Sequence, residues 1–454
     1  MKFYNRESEF NTLGKLKGDF RVAVIGRRRI GKTTLVETFY KGNCLNLFVS
    51  AEKAEREIVA GWVKEYNELH LPNVSTFYDL FDFIFSNLRE RVVFIDEMQN
   101  ILKVNKSFLS DLQRLIDKYK PKLVVSGSII SVMKNIIEEY KSPLYGRFDF
   151  IIKLEEFRFK TVFEICRDLG LGIEEAIRIY SVFGGIPKYY ELIEKIKQFD
   201  FDELILNSFV SYPRPLFEEV KTMLKEEFGS EYKTFFSILS SIAQGNNRAS
   251  EIAGFLGKKQ TEITKYLALL RDDFEIIERK TPLLVGSKGL YSIRSNVVRY
   301  WFNNIWRYNE LLEGLQEERL REIVRESLNR HVAKSFEGVI MELSKSLFPR
   351  FDAFGQQWGN FHGEKGKDSY EIDLAASGKK ELLFGECKWQ EKVNALTIAK
   401  ELTKKAQFIE DTRTRVMAVF AKSFSKRIDE YEGCKVVCFD LKDLEHFLKP
   451  AIKG

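Results

Sequence analysis

The stretch Gly26-Arg27-Arg28-Arg29-Ile30-Gly31-Lys32-Thr33, with Thr34 behind it, constrains this chain more than any other. It follows the apolar run Val22-Ala23-Val24-Ile25 and precedes Leu35-Val36-Glu37-Thr38-Phe39, which has helical spacing. Strand, glycine-rich turn and helix start, in that order, make G-x-x-x-x-G-K-[ST] a phosphate-binding loop. The glycines let backbone N–H groups turn onto phosphate oxygens, and the helix N-terminus adds partial positive charge. Lys32 is placed to reach the β and γ phosphates of a nucleotide, and Thr33 to offer a hydroxyl to Mg²⁺. A tight turn alone would explain the glycines but not that lysine and threonine.

A chain of 454 residues exceeds one ordinary core, so two or three domains are expected. The charge of +6 is small against 72 basic and 66 acidic side chains, which permits a nucleic-acid partner without demanding one. The first residues show no apolar signal segment, and no apolar run reaches membrane-spanning length. The expectation is a cytoplasmic protein with no membrane partner. Cys44, Cys166, Cys387, Cys434 and Cys438 form no C-x-x-C pair, so reduced thiols are expected.

Beyond the loop, Arg91-Val92-Val93-Phe94-Ile95-Asp96-Glu97 reads as a strand buried on both faces with two carboxylates at its end. Ligands bind at that end of a parallel sheet. Asp96 suits holding Mg²⁺, and Glu97 suits a base that orients the attacking water. Leu123-Val124-Val125-Ser126-Gly127-Ser128 is a further short strand, with Ser128 able to cap a following helix. Arg147, in Pro143-Leu144-Tyr145-Gly146-Arg147, is either an arginine finger or a surface ion-pair residue.

Taken together, these segments resemble the archaeal P-loop ATPases of the STAND and AAA+ branch. Asn5-Arg6-Glu7 and Gly184-Gly185-Ile186-Pro187-Lys188-Tyr189 extend the match. The resemblance implies ATP as the nucleotide, a helical lid, and Arg6, Glu7 and Pro187 close to it. It also implies that Ser126 senses the γ-phosphate, and it favours the finger reading of Arg147, which in trans would require a homo-oligomer.

From Tyr232 the pattern gives three short helices and a hairpin, over Phe235–Ala243, Ser250–Leu256, Gln260–Leu270, Glu275–Lys280 and Leu290–Ile293. Ser250 is placed to cap the second. The spacing is that of a winged helix-turn-helix. Gln260, Thr261 and Lys265 would face a DNA groove while Lys258, Lys259 and Lys280 contact phosphates. An intramolecular clamp or a protein interface is the other use of such a module.

The last segment places Asp373 on one strand and Glu386-Cys387-Lys388 on the next, with Glu337 on a preceding helix. Alternate residues of a strand share a face, so Glu386 and Lys388 point the same way. This order resembles the PD-(D/E)xK nuclease superfamily, with Glu-Ile-Asp rather than Pro-Asp in the segment that ends at Asp373. The resemblance implies Mg²⁺ held by Asp373, Glu386 and Glu337, with Lys388 assisting a water.

The expected architecture is α/β: a P-loop ATPase core with parallel sheet over 1–160 and a helical lid over 161–228. A winged helix over 229–294, a helical linker over 295–330 and a restriction-nuclease-like α/β domain over 331–454 follow. Such a chain would bind ATP and act on DNA, or serve as an ATP-gated switch for a protein partner.

Overall fold

The computed structural model describes residues 2–196, 199–211, 214–286, 288–308, 317–363 and 366–449. The chain divides into two compact units, Met1–Glu156 with Ile186–Leu192, and Phe157–Gly185 with Ile193–Gly454. The division leaves part of the expected lid with the C-terminal elements.

The first unit is built on five strands, β1 (Arg21–Ile25), β2 (Cys44–Phe48), β3 (Val92–Asp96), β4 (Leu123–Gly127) and β5 (Phe150–Lys153). Their order is β2-β3-β4-β1-β5, and every pairing is parallel. Parallel strands need crossover helices, which cover both faces and demand apolar residues on each. Ala23, Val93, Ile95 and Val125 therefore enter one core, while Val22, Val24, Phe94 and Val124 enter the other. One crossover helix, Phe77–Asn87, starts where the Thr76 hydroxyl accepts from Asp79 N at 3.2 Å. The strand β5 was not anticipated, because Phe150 and Ile151 are exposed at the sheet edge and give it no clear buried pattern.

The second unit begins with helices Phe159–Asp168 and Ile173–Phe183. Gly185 lies so close to Phe157 that an added Cβ would fall 1.9 Å from that residue's carbonyl oxygen. Helices Tyr232–Ala243, Ala249–Leu256 and Gln260–Asp272 then lead into the hairpin β6 (Ile277–Lys280) and β7 (Leu290–Ile293). The start of the second of these helices differs from expectation. The Glu251 carboxylate, not Ser250, accepts from Asn247 N and Arg248 N, each at 3.0 Å. A carboxylate at that position also favours the helix dipole.

The C-terminal sheet has the order β14-β15-β12-β10-β9-β8. Its strands are β8 (Ala353–Gly363), β9 (Gly366–Ser377), β10 (Glu381–Lys388), β12 (Thr414–Ala421), β14 (Glu430–Tyr431) and β15 (Cys434–Phe439). Between them, β11 (Val393–Asn394) and β13 (Phe424–Lys426) form a separate parallel pair. In the main sheet β9 is antiparallel to β8 and β10, whereas β10, β12 and β15 run parallel. Helix Ala395–Ala406 buries Ile398, Ala399 and Leu402 against Ile372, Phe384 and Val419. Helix Glu317–Leu347 buries Phe336, Val339 and Ile340 and carries Glu337.

The β6–β7 connection is fastened to β8. Leu283 N donates to Gln356 O at 3.0 Å, and Leu284 N donates to Gln357 Oε1 at 2.8 Å. Gln357 Nε2 returns a bond to Val285 O at 2.9 Å, while Leu283 and Leu284 pack onto the sheet core.

Candidate functional site

At the C-terminal edge of the parallel sheet, Arg29 and Gly31 take positive φ of 66° and 92°, which turns the loop into the following helix. Gly26 approaches Leu154 so closely that a Cβ would meet its carbonyl oxygen at 2.7 Å. Lys32, 5% exposed, donates from Nζ to Gly26 O at 2.9 Å and Arg27 O at 3.1 Å. Burial lowers its pKa, and the nearby Glu97 and Asp96 carboxylates oppose that shift. Thr33 Oγ1 donates to Asp96 Oδ2 at 2.7 Å, joining the loop to the end of β3. The Ser126 hydroxyl donates to the other Asp96 oxygen from the adjoining β4. Burial raises the Asp96 pKa, and these two hydroxyls work against the rise.

Glu97 follows with φ 56°, and its Oε2 accepts from Ser128 Oγ at 2.7 Å and from the Gln99 amide. Arg6, buried behind the loop, donates to Ile30 O at 3.2 Å and Glu155 O at 3.1 Å. It braces the loop backbone. Glu7 is exposed on the first helix, and Pro187 is buried at the start of Pro187–Glu194. Arg27 is half-buried, whereas Arg28, Arg29 and Thr34 are exposed. Ser126 is fully buried against Asp96, a placement that makes it a carboxylate partner rather than a group facing phosphate.

Arg147 is not brought to this edge. Its guanidinium pairs with Asp117 at 3.1 Å, near the end of helix Phe108–Tyr119 that feeds the start of β4. Asp149 N likewise bonds to Arg21 O at 2.8 Å, at the first residue of β1. The length of β1, about 17 Å for five residues, separates the two ends. Arg147 therefore stands apart from the loop of its own chain, which leaves the finger reading to a site on a neighbouring copy.

In the second unit, β9 and β10 pair through Leu374 opposite Gly385, which sets Asp373 beside Glu386 on the neighbouring strand. Oxygens of Glu337, Glu371 and Asp373 lie within 4.8 Å of one another. Lys334 bridges Glu337 at 2.7 Å and Glu371 at 3.2 Å. Asp373 Oδ2 accepts from Cys387 N at 2.9 Å. Glu386 binds Lys388 at 2.9 Å through one oxygen and Lys405 at 2.8 Å through the other. Burial, with Asp373 nearby, pushes Glu337 up to about 7. Burial, with Glu386 nearby, pushes Asp373 up to about 6. Crowded carboxylates that resist ionising are a donor set suited to a hard divalent cation.

Residues 3–193 match the family described as an ATPase domain predominantly from Archaea. Residues 301–406 match a family described as archaeal and bacterial proteins of unknown function. An uncharacterized protein of Methanocaldococcus jannaschii is 31% identical, with 97% of this chain and 99% of that protein covered. The chain belongs to this family of archaeal ATPases. A Walker-type ATPase of Pyrococcus abyssi shares the fold, at 18% identity and a TM-score of 0.50, over 66% of this chain and 96% of that one.

In this archaeal ATPase several site residues escaped the sequence reading. Glu371 carried a legible signal, since it stands two residues before Asp373 on the same strand face. Lys334 sits one helical turn before Glu337, a spacing that also could have been read. Lys405 and Ser128 reach their carboxylates only through folding, whereas Gln99 meets Glu97 from two residues away. Among the proposed DNA-facing residues, Lys258, Lys259, Gln260, Thr261 and Lys265 are exposed together. Lys258 is paired with Glu262, and Lys280 with Glu278 at 3.2 Å. Among the described residues no helix is long and apolar enough to cross a membrane.

Proposed function

We propose that this ATPase hydrolyses ATP with Mg²⁺ and acts on DNA, nucleotide state gating DNA engagement or metal-dependent cleavage at the C-terminal acidic site. In this reading Lys32 binds the β and γ phosphates, Thr33 and Asp96 hold Mg²⁺, and Glu97 orients the attacking water. The cation would neutralise charge on the phosphate oxygens. Glu337, Glu371 and Asp373 would hold a second Mg²⁺, Glu386 being freed for it when Lys388 and Lys405 yield. Lys388 then stands beside the water it would position, in a restriction-nuclease-like arrangement. The exposed face formed by Lys259, Gln260, Thr261 and Lys265 would meet DNA.

The observation that carries this reading is the carboxylate cluster of Glu337, Glu371 and Asp373, with Glu386 and its partner Lys388 on the neighbouring strand, in one chain with a phosphate loop. Phosphate release should be measured with and without DNA, beside nicking of supercoiled plasmid in Mg²⁺ or Mn²⁺. Nicking that disappears in Asp373→Ala and Lys388→Ala supports the reading, and nicking unchanged in both rejects it.

A second reading, a nucleotide-gated switch whose C-terminal elements bind a partner without cutting, is favoured by one contact. The hairpin tip is spent on β8 through Gln357, which is 0% exposed, so this wing serves an intramolecular purpose. DNA-independent ATP turnover with no nicking is its expected result.

A further inference from the structure

Glu97 is held more firmly than a carboxylate at a strand end requires. Its backbone sits in the left-handed region at φ 56°, which costs a non-glycine residue about 1–2 kcal/mol. Such a conformation persists where neighbours over-determine it. Two neighbours do so here. Ser128 Oγ donates to Glu97 Oε2 at 2.7 Å, and Gln99 Nε2 donates to the same oxygen. Gln99 Nε2 also reaches Ser128 Oγ at 3.2 Å, closing a three-membered polar cluster. The other oxygen, Oε1, takes no hydrogen bond among the described residues and is left for a water.

Gln99 is a costly choice if its role is packing. It is 5% exposed, and its own Oε1 finds no partner among the described residues. An unsatisfied buried acceptor costs about 1–3 kcal/mol. Leucine or methionine would fill that space without the loss. The only hydrogen bonds its amide makes among the described residues run to Glu97 and Ser128. Room for it comes from Gly127, where a Cβ would stand 2.6 Å from Gln99 Oε1. The carboxylate held this way also lies near the loop lysine, whose charge it helps to sustain.

We infer that Ser128 and Gln99 are positioning residues for ATP hydrolysis, fixing the Glu97 carboxylate so that Oε1 faces the attacking water. The inference rests on the reading of Glu97 as the group that orients water. Neither residue touches phosphate; both act through Glu97. An oriented group one ångström out of place costs about 100-fold in rate.

The test is steady-state phosphate release by the full chain, with binding of a fluorescent ATP analogue measured alongside. Ser128→Ala and Gln99→Leu should lower kcat by about 10- to 100-fold while KM and analogue affinity stay within about 2-fold. Ser128→Thr, which keeps the hydroxyl, should restore most of the rate. In a Glu97→Gln background the same substitutions should cost nothing more, because groups acting as one unit are non-additive. Glu97→Gln that abolishes turnover while Ser128→Ala and Gln99→Leu keep parental kcat overturns the positioning role alone. A kcat loss from Ser128→Ala that is equally large in the Glu97→Gln background also overturns it, since the serine would then act elsewhere. Parental turnover in Glu97→Gln overturns the reading of Glu97 and the inference with it.

Discussion

The two acidic sites of this chain are built on opposite electrostatic plans. At the nucleotide site the carboxylates are held by neutral donors: Thr33 and Ser126 on Asp96, Ser128 and Gln99 on Glu97. At the C-terminal site three carboxylates are held by ammonium groups, Lys334 on Glu337 and Glu371, Lys388 and Lys405 on Glu386, while Asp373 accepts from Cys387 N. Neutral donors orient a carboxylate and leave its charge to be used. Lysines neutralise it, and an arriving cation must compete with them. The carboxylates of the first site are thus oriented without ion pairs, whereas a cation at the second would have to displace lysines. Lys334 shows the cost of that plan. Burial pulls its pKa down, yet Glu337 and Glu371 outweigh burial and raise it.

The largest effect expected from this contrast is at the loop. Lys32→Ala should cut ATP turnover by about 100- to 1,000-fold, as loss of a charge-stabilising donor does. Mn²⁺ binding at the C-terminal site, followed in the same variant by electron paramagnetic resonance, should be unaltered. A parallel loss of both would break the separation of the two sites.

Next in size is the cation itself. Asp373→Ala should weaken Mn²⁺ binding at the C-terminal site by at least about 10- to 100-fold, the range found for partners of metal ligands. In the parent, calorimetric affinity should fall as pH drops through about 7 and then about 6, where Glu337 and Asp373 take up protons. Affinity flat across that window would mean other groups hold the ion.

Removing the buried amide that pins the hairpin tip, in Gln357→Ala, should cost about 1–3 kcal/mol in a urea titration. It bonds to Leu284 N at 2.8 Å, Val285 O at 2.9 Å and the Tyr370 hydroxyl at 3.3 Å. ATP turnover at the other site should not follow it.

A smaller effect tests the crowding of charge. The folded pKa values of Glu337 and Asp373 lie above their ordinary ones, so the stability they contribute is full below pH ~4 and is lost as pH rises through about 6 and about 7. Metal-free Glu337→Gln should melt about 1–3 °C higher than the parent near pH 8, with no gain near pH 4. The smallest effect belongs to Arg147. Arg147→Ala should leave turnover in dilute solution unchanged, and a rate that rises with protein concentration only in the parent would place this arginine at a neighbouring copy's site.

Much of the fold was legible because its signals are local. The helix over Gln260–Asp272 and the strands β3, β4, β7 and β10 follow from apolar spacing and breakers close in sequence. The long edge strand β8 was not read, since Gly355, Gln356, Gln357, Gly359 and Asn360 carry no apolar alternation. Its partners are β9 and the hairpin tip, and neither is visible from its own composition.

What the sequence determined by itself was chemistry fixed by short spacing. The loop glycines, Lys32 and Thr33 form one turn, and Glu386 with Lys388 share a strand face because alternate residues must. What only the tertiary structure decided was which distant groups satisfy those residues. Ser128 reaches Glu97 from 31 residues away, Lys405 reaches Glu386 from 19, and Asp117 draws Arg147 away from 30. A short motif records its own geometry, but a buried charge takes whichever partner the packed chain brings within reach.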